Sequence, residues 1–478
     1  MLRIFSLFVT FFMTLSLAAQ QPQGLPIMHI NFEGKIIGSE DYLPGTMVLT
    51  DTDGSRVELP AKFRTRGATA RQYTMKPSLN LKLRTDDYSD SRDATLLGLR
   101  SCSSWILDAM AIDPLCMRNR VSFDLWNEFS RLPYETEYDS RNGTVGRFIE
   151  LWMNGTYYGI YCLSDRINRK LLDLKKVKEE EDGTCQVRGV LYKHGTQDIS
   201  VQNERCYNDD YSACVVGWHN AWELAEPDDY PCEAAWQPLL DAYDKGNSLD
   251  YVRKHFFLEN LADYQILIMA LGIMDNWGNK NRYLSVRNIN KDINAPDPDD
   301  ADRRRFTITP WDLDAAFGGY EGHYSSFTPE MVMKNGVYPF SVIMGNGDYR
   351  DMLREAWIRG RAGAFAVENV RRHLYAYRDL FIQTGAWQRM NEAFDARKYK
   401  PCHVKDLAAE IENAIAWYQR SFDALDEYFK IPDGIAPIKN EMPTAKAKKV
   451  IKDHHIIIRT AEGNYGVDGN QKPQPFIQ

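Results

Sequence analysis

Positive charge is in short supply: 58 Lys and Arg stand against 66 Asp and Glu, and the formal net charge of −8 argues against a mainly electrostatic attachment to nucleic acid. Glycine and proline, 31 and 21 residues, are too few and fall without a period, so fibrous and collagen-like architectures are excluded. The eight cysteines form no Cys-x-x-Cys pair and no Cys/His spacing that suggests zinc. A Gly-x-Gly-x-x-Gly loop is missing as well. Beyond the first twenty residues no apolar stretch approaches the roughly 20 residues of a spanning helix; the nearest, Ile266 to Met274, is too short. What is present is a large apolar inventory, 44% hydrophobic and 12% aromatic, which excludes wholesale disorder and predicts a large globular body.

The chain opens with Arg3, an apolar run from Ile4 to Leu17 and then Ala18-Ala19-Gln20. This is the order of a secretory signal over residues 1–20, and it predicts a secreted, periplasmic or cell-surface protein with no stable membrane span after cleavage. The cysteines all follow it, and an even count in an exported chain permits disulfides. Four of them, Cys185, Cys206, Cys214 and Cys232, fall in a stretch rich in Asn, Asp, Tyr and Trp, which predicts a cross-linked insertion over about 185–250. Cys162, inside the apolar run Gly159 to Leu163, is expected as a buried free thiol.

From His29 to Arg84 the pattern is short and alternating, cleanest in Ser78-Leu79-Asn80-Leu81-Lys82-Leu83, and it predicts antiparallel strands. Residues 115 to 129 put Val121, Leu125 and Phe129 on one helical face. Two strands follow, Arg147 to Met153 and Tyr157 to Leu163, joined by the hairpin signal Asn154-Gly155. Lys175 to Asp182 reads as a solvated charged loop, and Phe256 to Met274 as a buried helix. The Asp- and Pro-rich stretch 291–305 reads as the loop of a hairpin between Arg282 to Arg287 and Phe306 to Thr309. Val404, Leu407, Ile411, Tyr418, Phe422 and Leu425 mark a covering helix, and a boundary falls near Ile431. The fold class is therefore α+β, an antiparallel N-terminal sheet followed by a mainly helical C-terminal part.

Two constellations carry chemistry. In Met274-Asp275-Asn276-Trp277-Gly278-Asn279-Lys280-Asn281-Arg282 a buried helix gives way to a polar loop and then a strand. In Thr309-Pro310-Trp311-Asp312-Leu313-Asp314 a strand ends in two carboxylates, followed by Gly318-Gly319. A base or orienting carboxylate together with an amide and a carboxylate on Mg²⁺ is what phosphoryl transfer requires. The same residues would serve merely to cap helices and turn the chain.

Phe63-Arg64-Thr65-Arg66-Gly67-Ala68-Thr69 and Lys76-Pro77-Ser78-Leu79-Asn80-Leu81-Lys82-Leu83 resemble the Arg-x-Arg-Gly signature and following lysines of the spore coat protein H (CotH) family. Further blocks arrive in that family's order: Leu96 to Leu99, Trp105 to Leu107, Met117-Arg118-Asn119, Glu150 to Tyr161, the Asp275 to Leu284 loop, and Trp311 to Gly318. The resemblance covers roughly residues 30 to 430 and implies an atypical protein-kinase-like fold over 29–430 that binds ATP and Mg²⁺ (or Mn²⁺) and phosphorylates proteins. It implies Asp275 as the catalytic carboxylate, Asn281 and Asp312 as metal residues with Asp314 as the alternative to Asp312, and Lys76, Lys82, Arg64 and Arg66 as cations for the nucleotide's phosphates. Lys76 and Lys82 are expected on one strand face, and Gly318 as the flexible start of an activation segment. Ala68-Thr69-Ala70 and Lys76-Pro77 depart from the usual pattern, which leaves fewer hydroxyl contacts to phosphate, but the Asp/Asn/Asp set is intact. The expected activity is ATP-dependent phosphorylation of Ser or Thr on other exported proteins; nucleotidyl transfer and a non-catalytic envelope or coat scaffold are the alternatives. Residues 431–478 are expected to be a linker and a short C-terminal β-motif.

Overall fold

The computed structural model describes residues 24–36, 41–67, 76–132, 141–194, 205–207, 209–216, 221–276, 281–320, 323–324, 341–397 and 402–431, with strands between 448 and 466. The expected secretory signal over residues 1–20 and the Ala68-Thr69-Ala70 departure lie outside the described residues.

Seven strands close into a barrel in the order β1-β2-β3-β4-β5-β7-β6. They are β1 Ile27–Phe32, β2 Leu43–Thr50, β3 Arg56–Thr65, β4 Leu79–Leu83, β5 Ser104–Asp108, β6 Gly146–Met153 and β7 Thr156–Asp165. All neighbours run antiparallel except β1 and β6, whose parallel pairing closes the barrel. Alternation along each strand decides which side chains enter: Phe63, Leu81 and Trp105 meet inside and are fully buried. The turn between β6 and β7 works because Asn154 and Gly155 both accept positive φ, 46° and 75°. The Asn154 side chain also bonds both backbone groups of Phe32.

With the apolar residues inside, the outer face of β3, β4 and β5 presents polar residues in rows. Lys62 and Lys82 pair in one row with Ser104, Arg64 and Asn80 in the next with Ile106, and beyond the strand ends the Arg66 N–H donates to the Ser78 carbonyl at 2.9 Å. Lys76 lies ahead of β4 rather than on it, so the expected common strand face with Lys82 is not formed.

The first helix, α1 Arg118–Phe129, starts where the Asp113 carboxylate accepts the amides of Leu115, Met117 and Arg118 at 2.9, 2.8 and 2.7 Å. A small exposed hairpin, β8 Lys178–Glu179 and β9 Cys185–Gln186, occupies the charged run. The six-stranded second sheet, in the order β11-β12-β13-β10-β14-β15, contains β10 Val190–His194, β11 Arg205–Tyr207, β12 Ala213–Val216, β13 Ala221–Glu226, β14 Arg282–Val286 and β15 Phe306–Pro310. The cysteine-bearing stretch is thus part of an ordinary hydrogen-bonded sheet. Among the described residues the expected cross-links are not formed: Cys185 and Cys232 make no disulfide, and the Cys206 side chain lies outside the described residues. Ladder pairing and apolar burial of Val215, Ala221 and Trp222 hold this segment instead. Cys162 is the buried thiol expected, its pKa pushed up to about 12 by burial.

Helices α2 Glu233–Lys245 and α3 Leu249–His255 lead into α4 Leu258–Leu271, buried throughout from Asn260. After the short α5 Pro298–Asp302 come α6 Gly347–Ala362, α7 Val367–Gln383, α8 Ala386–Ala396 and α9 Leu407–Tyr428. Among the described residues no helix is long and apolar enough to cross a membrane.

Trp417 on α9 ties this helical part to the loops of the site. A Cβ on Gly272 or on Gly318 would lie 2.2 Å from the Trp417 ring, and both glycines have positive φ, 60° and 67°. Gly318 is therefore a buried packing residue rather than the flexible segment start expected of it. Gly272→Ala and Gly318→Ala should each destabilise the protein by about 2–4 kcal/mol, the sum of overpacking and left-handed backbone cost. Urea unfolding of the single variants, with Gly155→Ala as the exposed positive-φ control, checks this.

Candidate active site

The ladder between β14 and β15 brings the two constellations together. Arg282 faces Pro310 and Tyr283 faces Thr309, so the residues just outside the ladder, Asn281 and Trp311, meet as well: the Trp311 N–H donates to the Asn281 carbonyl at 3.0 Å. Asp312 follows immediately. Asn276 reinforces the junction, its Nδ2 donating to the carbonyls of Asn281 at 2.9 Å and Trp311 at 2.7 Å. The loop from Asp275 to Asn281 closes on itself through a side-chain bond, Asn281 Nδ2 donating to Asp275 Oδ2 at 2.8 Å. The Asp/Asn pair six apart thus converges as expected, with the amide nitrogen on the carboxylate and Oδ1 as the other end of the amide.

Both Asn281 and Asp312 adopt left-handed backbone, φ 57° and 56°. Asn and Asp tolerate this region best, yet each such residue costs roughly 1–2 kcal/mol and persists where surrounding contacts impose it. Two strained residues at the end of one strand pair mark a place where direction of side chains matters more than local comfort.

The carboxylates crowd. Asp314 is pushed well above the usual carboxylate range by burial first, with Asp312, Asp108, Asp113 and Asp275 adding repulsion. Asp312 is raised by the protein packed around it, with Asp108 and Asp275 adding and Arg66 opposing. The Asp312 side chain nonetheless keeps a solvent-accessible edge. Among the described residues no three His, Cys, Asp or Glu side chains converge closely enough to form a cation site alone. A carboxylate or two plus an amide oxygen, with excess negative charge nearby, is a donor set that fits Mg²⁺ or Mn²⁺ completed by phosphate oxygens and water.

The proposed phosphate cations separate. Arg66 stacks its guanidinium 5.0 Å from the Trp311 ring and its charge is felt at Asp312, so it belongs to the site. Arg64 and Lys82 instead share Tyr42, 4.5 and 4.8 Å from its ring centre, one and two rows along the outer face of the barrel. Lys76 is buried, its Nζ 5.1 Å from the Tyr161 ring centre and 3.6 Å from Met390 Sδ; burial lowers its pKa while Cys116, Asp108 and Asp113 oppose. Its charge reaches His403, packed against Trp387 and Phe394 with Nε2 3.0 Å from Asn391 Oδ1.

Burial, then Lys76, pushes the His403 pKa down to about 3, so the folded state keeps this ring neutral where the unfolded chain takes up a proton near 6.5. Its stabilisation is fully present above about pH 6.5 and is lost as pH falls. Between pH 6.5 and 4.5 the wild type should lose about 2 kcal/mol more than His403→Gln. Denaturant melts of the two proteins across that range check it.

Sequence reasoning missed two residues. Asp108, one step past the noted Trp105 to Leu107 strand, is held by Ser78 Oγ at 3.3 Å, the Met110 N–H at 3.1 Å and Asn119 Nδ2 at 2.8 Å. Its only local signal is an Asp ending a strand. Asn119 was visible as part of Met117-Arg118-Asn119, without a role. The Asn142 amide is buried, donating to the Ile308 carbonyl at 3.1 Å and accepting from Thr309 Oγ1 at 2.5 Å.

A family model described as CotH kinase protein matches residues 63–428, well over half of the chain. The chain belongs to the CotH kinase family. No curated protein matches it. Membership in the CotH kinase family implies protein kinase activity and ATP use, and the match takes in all eight residues considered above, from Arg64 to Asp314.

Proposed function

We propose that this CotH kinase transfers the γ-phosphoryl group of ATP to Ser or Thr hydroxyls of other exported proteins with the help of a divalent cation. What supports the reading is the Asp275–Asn281 hydrogen bond set directly against Asp312 at the end of the β14–β15 ladder. Asp275 accepts the proton of the acceptor hydroxyl as the oxygen–phosphorus bond forms and the γ-phosphoryl group leaves the β-phosphate oxygen; ADP departs with that electron pair. The Asn281 Nδ2 donor keeps the Asp275 carboxylate aimed. Asn281 Oδ1 and Asp312, with Asp314 beside it, would hold the cation, which when bound neutralises phosphate charge. Arg66, kept in place by Trp311, adds a fixed positive charge at the same edge. The reading of the acceptor as an exported protein comes from the leader sequence.

Purified protein incubated with Mg²⁺ or Mn²⁺ and ATP labelled at either the γ or the α position tests this. Transfer of γ label alone is expected. Transfer of α label alone assigns nucleotidyl transfer, and transfer of neither, with a folded protein, assigns a scaffold.

A further inference from the structure

Asn119 lies in the first turn of α1, and its side chain joins the barrel to the loop carrying Asp312 and Asp314. Its Nδ2 donates to Asp108 Oδ2 at 2.8 Å, and its Oδ1 accepts from the Leu313 N–H at 3.1 Å. Only one orientation of the amide works: turned over, its NH₂ would face another N–H and its oxygen a carboxylate. Asp108 is anchored from the other side by Ser78 Oγ and the Met110 N–H, so this end of the link is fixed on β5 and its turn. The other end is the peptide between two crowded carboxylates, immediately after a residue held at φ 56°. Left-handed backbone at a non-glycine residue persists where a contact imposes it, and the bond to the Leu313 N–H is such a contact. The same helix turn is fixed independently by Asp113, so Asn119 is presented from a rigid support.

We propose that Asn119 is a positioning residue for phosphoryl transfer: by tying the Leu313 backbone to Asp108 it sets the direction in which Asp312 and Asp314 present their carboxylates. This rests on the reading of those carboxylates as cation-binding given above. Asn119 is assigned no contact with substrate; it acts through its bonds to Asp108 and Leu313. Without it the turn at Asp312 relaxes and the carboxylates, which repel each other, swing apart.

The test uses the full chain as wild type, Asn119→Ala, Asn119→Asp and Ser78→Ala. Hydrogen–deuterium exchange is followed over residues 311–317, Mn²⁺ binding by electron paramagnetic resonance with and without ATP, and kcat and KM with γ-labelled ATP. In Asn119→Ala the Leu313 amide should exchange faster, ATP-dependent Mn²⁺ affinity should fall about tenfold or more, and kcat with γ-labelled ATP should fall with it. Asn119→Asp keeps an acceptor for the Leu313 N–H but sets a carboxylate against Asp108 Oδ2, so it breaks the tie at that end and should lose kcat as the alanine variant does; it carries the comparison if the alanine variant does not fold. Ser78→Ala touches Asp108 but not Leu313 and should leave that amide's exchange unchanged. Unchanged exchange in Asn119→Ala, faster exchange with unchanged Mn²⁺ affinity, or the same losses in Ser78→Ala would each overturn the proposal. Failure of the kinase reading looks different: a wild-type chain that transfers no γ label while Leu313 protection and its dependence on Asn119 persist. A wild type that binds no Mn²⁺ in the presence of ATP overturns both.

Discussion

Asp275→Asn lowers phosphoryl transfer by a factor on the order of 10² or more while ATP affinity changes by less than about tenfold, because a base or hydroxyl-orienting group acts mainly in the transition state. The substitution is nearly isosteric and keeps an oxygen able to accept from Asn281 Nδ2, so the loop closure survives and the loss isolates the carboxylate's charge. Asn281→Ala behaves differently. It removes the donor that aims Asp275 and the amide oxygen assigned to the cation, so metal-dependent ATP binding and turnover fall together. The contrast separates chemistry from chain geometry: a residue that only terminates the turn after α4 would be replaced by Asn at no cost. Labelled-ATP assays on variants shown to be folded by circular dichroism read this directly, and wild-type activity in Asp275→Asn returns the loop to a structural role.

Asp312→Ala abolishes ATP-dependent Mn²⁺ binding, at least a hundredfold in affinity, yet leaves stability within about 1 kcal/mol of wild type. The physical reason lies in the crowding around it. Asp314, Asp108 and Asp275 repel Asp312, so its removal relieves repulsion in a protein that carries no cation there, and its solvent-accessible edge contributes little to the core. A structural carboxylate would show the reverse pattern, a stability loss with metal binding intact. Asp314→Ala, measured beside it by metal titration and urea unfolding, decides between the two carboxylates: if it alone loses Mn²⁺, Asp314 is the ligand and Asp312 the neighbour that tunes it.

The placement of these residues shows where local pattern suffices. Leu79, Leu81 and Leu83 alternate with Asn80 and Lys82, and a strand with one apolar face has one way to lie on a barrel core, so β4 and the outward, half-buried position of Lys82 follow from the pattern. Asn154-Gly155 needs two left-handed residues and therefore makes the β6–β7 turn wherever those strands end up. Convergence of Asp275 with Asn281 was equally legible, being a six-residue loop between a helix and a strand. Other inferences went astray because they depended on partners distant in the chain. Cysteines clustered in sequence say nothing of whether Cα positions and side-chain directions suit a bridge, and here they are spread over a small hairpin, two strands of the second sheet and a helix start. Gly318 looks like a hinge until Trp417, about a hundred residues on, fills the space beside it.

The sequence by itself determined the element types, the apolar face of each strand and helix, the order of the motif blocks and the chemical kinds of residue available for phosphoryl transfer, because all of these arise from neighbours within a few positions of one another. Only the tertiary structure decided where the four cations lie. Arg64, Arg66, Lys76 and Lys82 are equivalent as charges, but barrel closure and the docking of Trp311 leave Arg66 beside Asp312, hold Arg64 and Lys82 on Tyr42, and bury Lys76 against Tyr161 and Met390. It likewise brought in Asp108 and Asn119, whose roles exist only through hydrogen bonds between segments about 11 and 194 residues apart, separations over which no local pattern carries information.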